Sequence, residues 1–207
     1  MATKLDFKRE LRELYNASRD PELVDVPELN YLMVDGHGDP NTAVEYREAV
    51  EALYAISYAA KFIVKGTPGG VDYGVLPLEG LWWATDMSAF TAYDKSAWDW
   101  TMMIMQPDVV TAEILEQALA KTAKKGLAAQ GLVRLERFAE GRCAQVMHLG
   151  PYAAEAPTIQ RLHAFIADQG LQLRGKHHEI YLSDPRRTTP EKMKTISRQP
   201  VSTESTA

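Results

Sequence analysis

The sequence predicts an α+β fold: duplicated strand-helix-strand-strand modules whose antiparallel sheets join, with the helices on one face and a ligand cleft on the other. Three observations point there. Apolar residues recur at helical spacing over residues 41–64 and again from Ile159 to Ile166. Each of these stretches follows a strand-like run and a glycine-containing turn. Each is succeeded by a strand-like segment closed by a proline, Pro107 in the first half and Pro185 in the second, so the order of elements repeats.

Residues 1–25 are charged and irregular, and the first strand is Leu29-Asn30-Tyr31-Leu32-Met33-Val34. Asp35-Gly36-His37-Gly38-Asp39-Pro40 is a turn by composition. In the helix that follows, Tyr46, Ala49, Leu53, Ile56 and Ala60 share a face, and Gly66, Pro68, Gly69 and Gly70 stop it. Apolar segments at 74–78 and 81–84 precede a strong strand from Trp98 to Met105. Thr111 can cap a helix carrying Ile114, Leu115, Ala118 and Leu119, and its closing lysines before Gly126 suit the helix dipole. Residues 132–138 and 144–149 read as strands, Gly150-Pro151-Tyr152 as a turn, and Pro157 opens the second long helix, which Gly170 ends. A last strand covers 176–183. The basic segment beyond it reads as a chain end packed against the sheet, and 202–207 as a disordered tail. One domain thus spans 1–201, with pseudo-repeats of about 28–107 and 130–185. Setting Pro107 against Pro185 aligns Thr101 with Glu179 and Met103 with Tyr181.

Composition narrows the function. With 45% hydrophobic and 25% charged residues in 207, the chain can bury a sizeable core. The formal net charge is -5, and Lys121, Lys124 and Lys125 form the densest positive cluster before the tail, so nucleic acid is not an expected partner. No apolar run reaches bilayer length, and Met1 to Arg12 lacks the apolar core of a secretory signal; the expectation is a cytoplasmic protein with no membrane partner. Cys143, the sole cysteine, permits no internal disulfide and reads as an inert small hydrophobe on a strand. His177 and His178 are adjacent on a strand and face opposite ways, and no H-E-x-x-H spacing occurs; neither metal nor cofactor is expected. Gly36-His37-Gly38 lacks the third glycine and the lysine of a phosphate loop, and there is no G-x-S-x-G elbow.

Strand parity singles out the candidate site. In His177-His178-Glu179-Ile180-Tyr181-Leu182-Ser183, Ile180 and Leu182 suit the helix-covered face, which turns Glu179 and Tyr181 the other way. Through the repeat, Thr101, Met103 and Met105 join them. Methionines and the Trp82-Trp83 pair have little use on a solvated face; an adaptable apolar ligand site uses them, and so does plain core. A carboxylate walled by such groups loses hydration and its pKa rises, so it can serve as a general base or attract a cation whose charge the aromatic faces also stabilise. The expected partner is a small lipophilic or aromatic molecule.

These segments also carry a family resemblance. Leu78-Glu79-Gly80-Leu81-Trp82-Trp83, the turn at 35–40, His148-Leu149-Gly150-Pro151-Tyr152 and, most specifically, His177 to Arg187 with Pro190-Glu191-Lys192-Met193-Lys194-Thr195 resemble the stand-alone GyrI-like small-molecule-binding proteins over residues 1–201. The resemblance implies a duplicated fold with a central cleft for diverse lipophilic, often cationic compounds. The Trp-Trp motif is similar to a branch that hydrolyses cyclopropanoid genotoxins, in which water opens an electrophilic cyclopropane beside a dienone. On that resemblance Glu179 deprotonates or orients water, and Tyr181, or else Tyr73 or Tyr152, donates to the developing phenolate. Trp82, Trp83 and Trp100 sandwich the flat ligand. Two readings compete with it: a binding protein that sequesters drugs without chemistry, and a protein-interaction role toward a topoisomerase.

Overall fold

A computed structural model describes residues 3–85 and 94–203. In chain order its elements are β1 (Thr3–Leu5), the short helices α1 (Phe7–Glu10) and α2 (Arg12–Tyr15), β2 (Glu22–His37), α3 (Val44–Gly66), β3 (Val71–Tyr73), β4 (Leu78–Trp83) and β5 (Asp99–Gln106). There follow α4 (Ala112–Thr122), β6 (Arg134–Leu149), α5 (Ala156–Asp168), β7 (Gln172–Leu173), β8 (His177–Tyr181) and β9 (Lys194–Ser202). The fold is α+β, as the sequence predicts. It divides into two compact units, one of Met1–Glu10 with Leu29–Phe138 and one of Leu11–Glu28 with Ala139–Ala207.

In the first unit β5 lies between β2 and β4, antiparallel to both. The apolar spacing of α3 buries Ala49, Ala52, Leu53, Ile56 and Ala60, and the helix packs on β5 and α4. Leu53 and Ile56 are fully buried, contributing roughly 1.5–3 kcal/mol each from apolar burial alone. A buried polar contact locks the register of helix on strand: Gln106 Nε2 donates to Ser57 Oγ at 3.1 Å. The expected turn at 35–40 begins later than its glycines suggest, because β2 pairs with β5 as far as His37. Gly36 is needed within the strand, since a Cβ there would overlap the Trp100 ring.

In the second unit β9 lies between β6 and β8, antiparallel to both, and β7 pairs with its far end. Leu162 and Ile166 of α5 pack on Ala144, Val146 and Val201. Two differences from the sequence reading stand out. The strands expected at 132–138 and 144–149 are one continuous strand, β6. The segment expected as a chain end is β9, a sheet strand buried from Thr195 to Val201. Since β9 follows β8, the element order makes β8 the counterpart of β4 and not of β5, so the alignment of Thr101 with Glu179 and of Met103 with Tyr181 does not hold. Ser202, placed by sequence in a disordered tail, closes β9, and residues 204–207 lie outside the described set.

Cys143 is buried on β6, and burial together with the Glu140 charge pushes its thiol pKa up. No helix among the described residues is long and apolar enough to cross a membrane.

Candidate functional site

The register of the second unit arranges its side chains in rows. Val146, Ser197 and Glu179 form one row across β6, β9 and β8, and His148, Thr195 and Tyr181 form the next. Directly paired residues share a face. That face is the one α5 covers, because Val146 packs with Leu162 and Ile166 and His148 Nδ1 lies 2.9 Å from Thr158 Oγ1. Glu179 and Tyr181 therefore point toward the helix side. The alternation matches the sequence expectation but the faces are exchanged: Ile180 turns away from α5 with its partner Ile196. The helix tolerates the acid because its own start brings Glu155, and its third turn His163, to the same surroundings.

Around the carboxylate the geometry is tight. Tyr181 Oη donates to Glu179 Oε2 at 2.7 Å, and His177 Nε2 stands 3.6 Å from Oε1. The Glu179 side chain is 15% exposed and that of His177 5%. Tyr152, in the turn before α5, sets its ring edge-on to Tyr181 at 5.5 Å and 78°. Burial acts to raise the Glu179 pKa, but hydrogen bonding and charge from His177, with hydrogen bonds from Tyr181 and Glu155, hold it below the ordinary value. The rise toward neutrality expected from an apolar wall is thus reversed by polar neighbours. His163 is held low by burial and by the charge of His177. The result is a shielded carboxylate, ionised at neutral pH and bonded to the Tyr181 phenol, which can take a proton from water or hold a cation.

The opposite face of the same sheet carries a second polar cluster. Gly141, at φ 72°, lies in the left-handed region and re-phases β6, so that Glu140 and Gln145 reach the same side. Glu140 lies 3.0 Å from His178 Nδ1 through either carboxylate oxygen and 3.4 Å from an Arg198 guanidinium nitrogen. Arg198 also donates to Gln145 Oε1 at 3.0 and 3.2 Å and to the Leu14 carbonyl at 2.7 Å. His178, the neighbour of Glu179, is thereby anchored, which fixes the direction of β8 and of the acid on its other face.

The remaining predicted residues lie in the first unit, and its sheet parts them. Trp82 and Trp100, paired across β4 and β5, face α3, where Tyr46 meets their rings at 6.2 and 5.4 Å. Trp83, Thr101, Met103 and Met105 have the other parity and face away from α3; Thr101 donates to Asp35 at 2.7 Å, which Arg134 also holds. Tyr73 is buried on β3 with its ring against Phe7, and its hydroxyl has no hydrogen-bond partner among the described residues. A cavity of about 340 Å³ in this unit is lined by Val34 to His37, Glu45, Glu48, Ala128, Ala129 and Leu132, none of which is a predicted site residue. No group of three His, Cys, Asp or Glu among the described residues is arranged to hold a metal ion.

The family described as GyrI-like small molecule binding domain matches residues 19–198. The chain belongs to that family. Two solved structures from Listeria innocua are similar to it. One, an uncharacterized conserved protein, is 47% identical, with a TM-score of 0.89 and coverage of 96% of this chain and 100% of that one. The other, a hydrolase, is 46% identical, with a TM-score of 0.86 and coverage of 97% and 100%. The EcmrR C-terminal domain, 13% identical with a TM-score of 0.56 over 89% of this chain and 98% of that one, shares the fold. No curated protein matches the chain.

In this GyrI-like chain several polar residues escaped the sequence reading. Glu79, the acid of β4, is 1% exposed, and it occupies the element that β8 matches by order. Its signal was available: a lone acid inside Leu78-Glu79-Gly80-Leu81-Trp82-Trp83 has no reason to face water. Thr195 and Ser197 are buried beside Tyr181 and Glu179. They had no signal, since their segment alternates without an apolar face.

Proposed function

We propose that the chain binds small lipophilic aromatic molecules and hydrolyses cyclopropanoid electrophiles by addition of water, with Glu179 as the general base. The observation that carries this reading is the shielded, ionised Glu179 carboxylate with Tyr181 Oη at 2.7 Å and the Tyr152 ring beyond it. The Listeria hydrolase, 46% identical over nearly the whole chain, supports hydrolytic chemistry. In the step itself, the water oxygen bonds to a cyclopropane carbon as the ring C–C bond breaks, and its electron pair enters the dienone to give a phenolate. Glu179 takes the water proton and the phenolate is protonated in turn, so the net change is addition of one water. Tyr152 flanks the ring system, and Tyr181 holds the base in place.

The test compares wild type with Glu179→Gln on a spirocyclopropyl dienone, following product by mass and affinity by calorimetry. Loss of turnover by about 10²–10⁴-fold with binding retained is the expected result; equal turnover removes Glu179 from the mechanism. A second reading, binding without chemistry, is favoured by the same ionised acid beside the Tyr181 phenol, which suits a cationic lipophile. Under it, wild type binds such a cation, Glu179→Gln does not, and no dienone is consumed.

A further inference from the structure

The row pattern beneath α5 contains two hydroxyls that the fold leaves without a partner. Ser197 Oγ and Thr195 Oγ1 belong to residues of 0% exposure, and neither makes a hydrogen bond among the described residues. They are the cross-strand partners of Glu179 and Tyr181 respectively. Four polar side chains thus form a two-by-two patch on one face, with directly paired Cβ atoms about 5 Å apart. Buried hydroxyls are ordinarily satisfied, and alanine or valine would fill the same positions with no polar atom to satisfy. The apolar residues of this face, Val146, Leu162 and Ile166, offer the hydroxyls nothing. What does suit them is a water, which needs two to four polar partners and finds them here in two hydroxyls and a carboxylate.

We infer that Ser197 and Thr195 seat the water that Glu179 activates. The inference rests on Glu179 as the base and adds two positioning residues to it. One hydroxyl donates to a lone pair of the water and the other accepts one of its protons. The second proton points to the Glu179 carboxylate and the remaining lone pair to the electrophilic carbon. When the C–O bond forms, the proton passes to Glu179 and the hydroxyls stay unchanged, so no further reactant is required.

The experiment uses the full chain and the spirocyclopropyl dienone, with Ser197→Ala, Thr195→Val and the pair combined, and Thr195→Ser as the conservative control. The expected result is a loss in kcat of about 10²-fold for the pair with KM little changed, and near-complete retention in Thr195→Ser. A merely structural role would move KM and kcat together and would not be rescued by serine. Wild-type kcat in the double variant, with Glu179→Gln inactive, overturns the water seat and leaves the base intact. Full turnover in Glu179→Gln overturns the base, and the activating role of the seat falls with it. Crystal structures of wild type and of Glu179→Gln decide the seat independently of turnover. An ordered water within hydrogen-bond reach of Ser197 Oγ and residue 179 supports it, and none touching either hydroxyl overturns it.

Discussion

Replacing Glu140 by Gln tests what holds β8 in place. The Glu140 and Arg198 side chains are 1% and 2% exposed and His178 is 0%, so the amide variant leaves a guanidinium out of water with no counter-charge. Removing one member of a buried ion pair costs about 3–5 kcal/mol. Arg198 keeps Gln145 Oε1 and the Leu14 carbonyl, and the new amide offers one acceptor, which places the expected loss near the lower end, roughly 3 kcal/mol. With a urea dependence of about 2 kcal/mol per molar, the unfolding midpoint should fall by roughly 1.5 M. The pH profile gives a second check. Burial acts to raise the Glu140 pKa, but His178 and Arg198 together hold it below the ordinary value. A depressed carboxylate contributes stability above its unfolded pKa and loses it as pH falls through the folded one. Wild type should therefore lose stability in acid through and below the usual carboxylate range, and Glu140→Gln should lack that component. A midpoint within about 0.2 M of wild type would show that the ion pair does not hold the strand.

Other perturbations read separate parts of the molecule. Tyr181→Phe removes a donor that holds Glu179 low, so the acid limb of the kcat/KM profile should move to higher pH, as measured by initial rates across a buffer series. Tyr73→Phe deletes a buried hydroxyl that has no partner among the described residues, and the urea midpoint should stay unchanged or rise, by up to about 1 kcal/mol in stability. Gly36→Ala drives a methyl group into the Trp100 ring and should destabilise by about 1–3 kcal/mol, with a shift in tryptophan fluorescence.

What the sequence disclosed follows from what each residue packs against. The helix over residues 41–64 was legible because the buried side of α3 is apolar except for Ser57, and the strand ending at Pro107 because β5 is buried along nearly its whole length. Strand β9 was illegible for the opposite reason. One face gives Thr195 and Ser197 to the surroundings of Glu179 and carries Gln199 further along, and the other gives Arg198 to the Glu140 cluster, so a buried strand is polar on both sides. The bend at Gly141 that aims Glu140 is likewise a backbone event, carried by one residue whose φ no composition pattern reveals. Glu179 stands out in the sequence because strand parity sets it beside Tyr181 and the family motif falls on it. Its face is exchanged because the apolar Ile180 and Leu182 suit a helix-covered face, whereas α5 brings the N-cap Glu155 and His163 to that face.

The depressed pKa of Glu179 limits how it can act as the proposed base. A carboxylate held below its ordinary value is a weak base toward free water, and a mechanism that began by removing a proton would gain little from it. Water that is forming a C–O bond becomes a far stronger acid as its oxygen takes on positive charge, so the transfer turns favourable late, when even a weak base suffices. Before that point the useful property is a fixed, ionised acceptor. Tyr181 at 2.7 Å and His177 at 3.6 Å supply it by keeping the carboxylate charged and still. On the proposed reading, the same contacts that lower the pKa suit a late proton transfer, with the water oriented by the two hydroxyls as well as by the carboxylate.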